Sequence, residues 1–170
     1  MKKSFHFFVA TVTLLGVAQT LSAQETASAT SSATILTPIS ISQTGDMNFG
    51  NVAVQSATAG TVILSAAGVR STTGGTTLPT TAGTVTTANF TVEGEDGYTF
   101  AITLPSSALT ISSGANTMTV TGFNSSPSAV GTLNGGTEDI TVGATLNVGA
   151  AQPSGTYISG TPFNVTVNYN

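Results

Sequence analysis

Apolar and polar side chains alternate with a period of two along most of the chain after residue 33. The alternation is clearest over residues 98–104, 140–148 and 163–169. Successive side chains of a β-strand point to opposite faces, so these segments predict half-buried strands, and helical spacing cannot produce them. Two of the predicted apolar faces consist of Ile140, Val142, Ala144, Leu146 and Val148, and of Phe163, Val165, Val167 and Tyr169.

Five further segments show a weaker alternation, namely residues 35–41, 47–54, 60–66, 85–93 and 117–123. Pro38 has no backbone donor for a strand ladder, which favours an edge position for the first of them. Turn sequences rich in Gly, Asn and Ser separate the segments. About seven to nine short strands joined in this way are typical of an antiparallel β-sandwich. We therefore predict an all-β fold, with a closed barrel as the alternative.

Two polar segments are expected to connect strands. Residues 71–84 are rich in Gly and Thr and predict a long hairpin loop or a poorly ordered sheet edge. Residues 93–97 contain Gly and three acidic residues and predict a hairpin tip between two alternating segments.

The first 23 residues have the organisation of a signal peptide. Lys2 and Lys3 precede an apolar run over residues 7–17, and the small residue Ala23 precedes the expected cleavage site. A permanent membrane helix needs about 20 apolar residues, which this run lacks. We expect a cleaved leader over residues 1–23, followed by a flexible tail and one sandwich domain. The tail comprises residues 24–32, the domain comprises residues 33–170, and the expected location is the periplasm, the outer cell surface or the medium.

Removal of the leader leaves a strongly acidic protein. Lys2, Lys3 and His6 are lost with it, so Arg70 is the only remaining cation against seven acidic residues. One positive charge against seven negative ones gives a formal charge of −6. Nucleic-acid binding needs several Lys and Arg side chains to neutralise phosphates, so we exclude it. Arg70 is expected to pair with one of the acidic residues.

Residues 24–170 contain no His, Cys or Lys, which excludes most catalytic constellations. Carboxylates remain, and Glu93, Glu95 and Asp96 facing Glu138 and Asp139 would suit a glycoside hydrolase. Sugar sites normally carry aromatic platforms, and this chain has no Trp and three Tyr. We therefore predict neither an enzyme nor a cofactor. The turn with the first three carboxylates is kept as a weak candidate site for calcium.

Three parts of the chain carry a family resemblance: residues 46–50 (Asp-Met-Asn-Phe-Gly), residues 142–148 (Val-Gly-Ala-Thr-Leu-Asn-Val), and residues 155–157 (Gly-Thr-Tyr) together with 163–169 (Phe-Asn-Val-Thr-Val-Asn-Tyr). They resemble the DUF4402 family, an uncharacterised secreted bacterial domain of unknown function. The resemblance spans most of residues 33–170. It implies no particular activity, because the family has none assigned.

A more distant likeness connects the same parts with chaperone-usher pilins and spore coat U type domains. Those families have a Phe-Gly step near the start and a Gly-Thr-Tyr type turn before a final strand with a penultimate Tyr. Gly155, Tyr157 and Tyr169 are the matching positions here. Pilins usually contain a disulfide, which this sequence lacks. The likeness implies an immunoglobulin-like sandwich whose free edge accepts a strand from a neighbour.

We expect a secreted structural protein of the cell surface, pilin-like or coat-like and without catalytic activity. The alternatives are a monomeric adhesive or ligand-binding module and, as a distant third, a carboxylate-dependent glycoside hydrolase. Expected partners are further copies of the chain or a periplasmic chaperone. Residues 24–32 contain only Ala as apolar residues, so a donated strand is expected to span residues 33–41. The candidates for strand exchange or assembly are Ile35, Ile39, Ile41, Phe163, Val165, Val167 and Tyr169.

Overall fold

The structure is a computed structural model that describes residues 23–170. The predicted leader, apart from Ala23, lies outside the described residues. Residues 35–170 form one compact unit, and every regular element in it is a β-strand. Residues 23–34 form neither a strand nor a helix. Across the described range, no helix has the length and apolar character needed to cross a membrane.

The described residues contain thirteen strands. They are β1 (Ser40–Gly45), β2 (Ala53–Val54), β3 (Gly60–Leu64), β4 (Arg70–Gly74), β5 (Thr76–Thr77), β6 (Ala88–Glu93), β7 (Thr99–Thr103), β8 (Leu109–Ser113), β9 (Asn116–Ser126), β10 (Val130–Thr132), β11 (Thr137–Val148), β12 (Ile158–Ser159) and β13 (Thr166–Tyr169). Four of these, β2, β5, β10 and β12, have only two or three residues. The other nine strands are longer, whereas the sequence shows eight alternating segments.

β11 is the central strand of an eight-stranded antiparallel sheet. It pairs with β9 along one edge, and along the other its first half pairs with β6 and its second half with β3. β1 pairs with β6, β4 with β3, β8 with β9, and β12 with β8. The change of partner falls at Gly143, because Val142 faces Ala88 of β6 and Ala144 faces Leu64 of β3.

A three-stranded sheet, in the order β10-β7-β13, packs on the part of the large sheet that contains β6. The buried side chains between the two sheets are Ala88, Val92, Phe100, Ile102, Leu133, Ile140, Val142 and Val167. Phe100 is the largest of the fully buried side chains, and Gly131 of β10 lies against its ring. Two packed sheets with an apolar core confirm the predicted antiparallel β-sandwich.

The other part of the large sheet is covered differently. Its buried side chains are Val62, Val120, Ala144, Leu146 and Val148. No strand of the small sheet packs there, and the cover consists of Met47, Phe49, Val52, Val54 and Leu78. Most of this cover is irregular chain between β1 and the short β2–β5 pair. The apolar face is consequently less completely closed at this end.

The structure confirms the most regular sequence pattern. All five apolar residues predicted to share a face of β11 are at most 4% exposed. The first predicted strand begins later than expected, since β1 starts at Ser40 and Pro38 lies outside it. β1 pairs with β6 only and lies at the end of the large sheet.

Three expectations about connections and strand bounds are wrong. Residues 93–97 do not form a hairpin tip, because β6 belongs to the large sheet and β7 to the small one, so this segment crosses between layers. The last strand begins at Thr166 and not at residue 163, since only β13 finds ladder partners on β7. Residues 71–74, expected to begin a loop or a poorly ordered edge, lie in β4 and pair with β3 over its whole length.

Candidate functional site

A groove of about 980 Å³ opens over the part of the large sheet that the small sheet leaves uncovered. Its floor is formed by side chains of β8, β9 and β11, and its two walls by residues 43–54 and 152–163. The floor residues are Leu109, Ile111, Met118, Val120, Leu146 and Val148. The end of β11 that carries Val148 therefore lies in the groove.

The floor is apolar because strand register brings like faces together. Leu109 lies opposite Val120, Val120 lies opposite Leu146, and Leu146 lies opposite Val62. These four residues form an apolar row across four strands, as expected where alternating strands share one face. Leu109 is only partly buried, whereas the other three are at most 4% exposed.

The first wall is held by the Phe-Gly step of residues 49 and 50. Gly50 has a φ of 68°, and a Cβ there would overlap the carbonyl oxygen of Ala82. The guanidinium of Arg70 donates to the carbonyl oxygens of Phe49 at 2.6 Å and of Asn51 at 3.0 Å. On the sequence alone, Arg70 is expected to pair with an acidic residue. In the structure its guanidinium binds these two carbonyl oxygens instead. The one cation of the described residues thus fixes the groove wall.

The second wall is tied to the sheet through two side chains. The hydroxyl of Tyr157 donates to the carbonyl oxygen of Pro153 at 2.8 Å and accepts from Nε2 of Gln152 at 2.8 Å. Gln152 also donates to the carbonyl oxygen of Thr117 at 3.2 Å. Beyond this network, Ile158 of β12 lines the groove with 66% of its surface exposed. Ile158 thus adds an exposed apolar side chain to a wall whose other side chains are mostly polar.

Phe163 closes the inner end of the groove. Its ring centroid lies 4.9 Å from that of Phe123 and 6.3 Å from that of Phe90. Residues 163–165 keep the predicted alternation, since Phe163 and Val165 pack against the core between the two sheets, but they belong to no strand. Phe163 lines the groove, whereas Asn164 lines a separate and smaller pocket.

At the start of β11 the first and last parts of the domain are joined by Tyr169. Its hydroxyl accepts from the backbone N–H of Glu95 at 2.6 Å and donates to the carbonyl oxygen of Thr37 at 2.8 Å. A Cβ on Gly94 would overlap this hydroxyl, so glycine is required there. The carboxylate of Glu95 in turn accepts from the backbone N–H of Thr37 at 3.0 Å and from its hydroxyl at 2.7 Å.

The hydrogen bonds from the Thr37 hydroxyl and backbone lower the pKa of Glu95 below its ordinary value of 4.5. A carboxylate whose pKa is depressed in the folded state stabilises that state above the unfolded pKa. This stabilisation disappears as the pH falls through the folded pKa.

We expect the free energy of unfolding of the Glu95→Gln variant to fall less between pH 7 and pH 3 than that of the wild type. Urea titrations at the two pH values measure this difference. Thr37→Ala, which removes one donor and keeps the carboxylate, should give an intermediate slope. Equal losses in the wild type and in Glu95→Gln would show that this carboxylate carries no pH-dependent stability.

Five of the acidic residues lie at this same end of the sandwich, which we name the acidic end: Glu93, Glu95, Asp96, Glu138 and Asp139. The turn of residues 93–97 lies beside the turn that precedes β11. Gly94 N–H donates to the carbonyl oxygen of Gly136 at 3.0 Å, and Gly135 N–H donates to Oδ1 of Asp96 at 2.7 Å. The acidic end lies at the start of β11, whereas the groove floor contains Leu146 and Val148 near its other end.

Three of the five carboxylates of the acidic end have hydrogen-bond partners in the protein. Glu95 binds Thr37, Asp96 accepts from Gly135, and Asp139 accepts from the hydroxyl of Thr91 at 2.7 Å. Within residues 23–170, no group of three or more His, Cys, Asp or Glu side chains is arranged to hold a metal ion. The calcium candidate at Glu93, Glu95 and Asp96 therefore gains no support from the geometry.

The assembly candidates lie in the domain itself. Ile39, Ile41, Phe163, Val165 and Tyr169 pack against the core between the two sheets, and Val167 belongs to it. Ile35 alone is 94% exposed. β1 pairs with β6 of its own chain and β13 with β7 of its own chain. Sequence reasoning did not find the groove, because its floor and walls come from segments that are distant in the chain.

Comparison with protein families gives a match that covers most of the chain. The family model described as Domain of unknown function (DUF4402) matches residues 39–169. That span contains both sheets, the groove with both of its walls, and the acidic end. No curated protein and no solved structure matches the chain.

Proposed function

The chain belongs to the DUF4402 family of domains of unknown function, and from that premise we propose that it is a secreted structural subunit of the cell surface. In this proposal it is pilin-like or coat-like, has no catalytic activity, and assembles with further copies of itself. The observation that carries the proposal is the open groove with an apolar floor beside an incompletely covered sheet. Apolar surface that the chain does not cover itself favours a protein partner.

The rim of the groove supports a protein–protein contact. Ile158 at the rim is 66% exposed, and three other lining residues, Met118 of the floor, Phe49 of the first wall and Phe163 at the inner end, are partly exposed. Burial of such side chains on association stabilises a complex by roughly 25 cal/mol for each Å² of apolar surface removed from water.

The groove is poorly equipped for catalysis. Asp46 is the only charged residue in its lining, and the other carboxylates lie mostly at the acidic end. General acid and base chemistry needs a proton-transferring group within hydrogen-bond reach of the substrate, usually with a second group to orient it. Among the described residues, every buried polar side-chain atom already has a hydrogen-bond partner. These features favour a role in binding.

We expect the exported protein to form oligomers whose population grows with concentration. The protein is produced with its own leader, recovered after export, and checked for its N-terminus by mass spectrometry. Its mass is then followed by size-exclusion chromatography with light scattering. Ile158→Asp should weaken assembly at least tenfold, because it places a charge at the apolar rim of the groove.

Val69→Asp is the matched control for this experiment. Val69 is also 66% exposed, but it lies beside β4 and not in the groove lining. The same change of side chain at the same exposure should leave assembly unchanged. A wild-type protein that stays monomeric over the whole concentration range contradicts the proposed self-assembly.

A monomeric adhesive module is the second candidate. Asn48, Asn51 and Gln152 line the groove and supply hydrogen-bonding groups of the kind that orient a polar ligand. A glycan array probed with the monomer distinguishes the two functions. Binding that is lost in Ile158→Asp, by a protein that does not self-associate, would favour this candidate over the structural one.

A further inference from the structure

Gln43 is a polar residue on the inward face of β1. Ile41, two residues earlier in the same strand, packs against the core between the two sheets, and alternate residues of a strand share a face. The register agrees, because Gln43 lies opposite Phe90 of β6, whose side chain packs against the same core. A polar residue where the alternation calls for an apolar one is a local departure from the pattern, and such departures are expected at functional sites.

The side chain of Gln43 binds a carboxylate in the groove. Its Nε2 donates to Oδ1 of Asp46, and both residues line the groove. Asp46 is exposed, so a molecule in the groove can reach its carboxylate. It is also the only charged residue of the groove lining. Gln43 is therefore a positioning residue for the single negative charge of the groove.

Two aromatic rings lie close to this pair. Cβ atoms of directly opposite residues in an antiparallel ladder are about 5 Å apart, which places Phe90 beside Gln43. The ring centroid of Phe90 lies 6.3 Å from that of Phe163, and both rings line the groove. We name Gln43, Asp46, Phe90 and Phe163 the inner cluster. It combines one carboxylate, its amide partner and two rings.

The inner cluster favours a positively charged group. A carboxylate attracts a cation directly, and the face of an aromatic ring attracts it through the ring quadrupole. An anionic group would be repelled by Asp46. Arg70, the one cation of the described residues, is bound to the carbonyl oxygens of Phe49 and Asn51. A cation at the inner cluster must therefore come from another molecule.

The remainder of the groove determines the body of such a ligand. Its floor is an apolar surface on three adjacent strands, with Leu109, Val120 and Leu146 in one row. Its volume of about 980 Å³ lies within the range of small-molecule sites, which combine an apolar lining with a few polar groups. An alkyl chain fits this floor, because it needs no hydrogen-bond partner there.

We propose that the groove binds an organic cation, with a substituted ammonium group at the inner cluster and an alkyl body on the apolar floor. Asp46 supplies the counter-charge, Phe90 and Phe163 supply ring faces, and Gln43 orients the carboxylate. The site is complete within one copy of the chain, so it goes beyond the proposed self-assembly and does not depend on it. One cation against seven acidic residues in residues 24–170 gives a domain that attracts such a ligand.

The probes are octyltrimethylammonium, octanol and octanoate, which share one alkyl chain and differ in charge. Their binding to the exported protein is measured by isothermal titration calorimetry, at a protein concentration at which light scattering shows a monomer. We expect saturable binding of the ammonium, about tenfold weaker binding of the alcohol, and still weaker binding of the carboxylate. Equal affinity for the three probes would overturn the inference.

Asp46→Asn removes the charge and keeps an oxygen that accepts from Gln43. We expect about tenfold weaker binding of the ammonium and loss of its advantage over the alcohol. Asp139→Asn is the matched control, because Asp139 is also exposed but lies at the acidic end and outside the groove lining. The control makes the same change of net charge and should leave the affinity within twofold of the wild type.

Phe163→Leu tests the aromatic part of the cluster. Leucine keeps an apolar side chain and removes the ring face, so the ammonium should bind several-fold more weakly while the affinity for octanol stays unchanged. Thermal unfolding of each variant verifies that the domain is folded. Equal losses for the two probes would assign Phe163 to the apolar body of the ligand and contradict its role at the charged group.

The outcomes are independent of those for self-assembly. Absence of saturable ammonium binding, unchanged binding in Asp46→Asn, or an equal loss in Asp139→Asn overturns the cation site, whereas self-assembly is still judged by Ile158→Asp. A wild type that stays monomeric at every concentration but binds the ammonium with the expected dependence on Asp46 contradicts the structural function and supports the cation site.

Discussion

Phe100→Ala is expected to lower the free energy of unfolding by about 3 to 5 kcal/mol. The ring is completely buried between the two sheets and is the largest of the fully buried side chains. Gly131 lies directly opposite on β10, so close to the ring that a Cβ there would overlap it. The neighbouring strand consequently has no side chain that can fill the space left by the ring. The loss combines transfer of the ring to water with the cost of the cavity.

Urea denaturation followed by circular dichroism measures this loss. Val130→Ala is the control, because Val130 lies on the same strand as Gly131 but is 48% exposed. It should change the free energy of unfolding by roughly 0.5 kcal/mol or less. A loss below about 1 kcal/mol in Phe100→Ala would mean that the sheets close over the cavity, contrary to the rigid contact described above.

Gly143→Ala is expected to cost about 3 kcal/mol, although it adds a single methyl group. Gly143 is buried where β11 changes partner from β6 to β3. A Cβ there would overlap the carbonyl oxygen of Leu64 and lie 2.6 Å from the carbonyl carbon of Ser65. These are backbone atoms, which cannot move aside as a flexible side chain can. The strand junction must therefore shift as a whole.

Gly160→Ala is the matched control for that substitution. A Cβ at Gly160 meets no atom within 4 Å, and the residue follows the short strand β12. Its free energy of unfolding should stay within roughly 0.5 kcal/mol of the wild type. If both alanine variants unfold at the same denaturant concentration, the backbone at the strand junction is more yielding than the packing indicates.

Local alternation predicted the fold where a strand has one buried and one exposed face. β11 fulfils this condition from Ile140 to Val148, where the apolar residues are buried and the alternate residues, apart from Gly143, are partly exposed. In β7 the buried residues Phe100 and Ile102 alternate with more exposed ones. β4 does not, because it lies at an edge and presents Ser and Thr to both sides, so its residues resembled a loop. An edge strand pairs with one neighbour only, and its sequence need not show the alternation of apolar and polar residues that marks a half-buried strand.

The layer to which a strand belongs is not a local property. Residues 93–97 have the composition of a hairpin tip, yet the chain crosses there from one sheet to the other. The crossing is fixed by contacts with distant residues, including the Tyr169 hydroxyl and the turn at Gly136. The groove escaped prediction for the same reason. Its floor and walls meet only after several long-range strand pairings have formed.

The bonds of Tyr169 have a mechanical consequence. A pull on the chain ahead of Ile35, directed away from the acidic end, is transmitted through Thr37 to β1. β1 lies antiparallel to β6 over the register from Ser40 to Gly45, so such a force acts along the strand. It loads the hydrogen bonds of that ladder together in shear, whereas a force across the strand would open them one at a time. The tyrosine hydroxyl adds the final strand to the load path, so tension entering at the N-terminal end is shared between the two sheets.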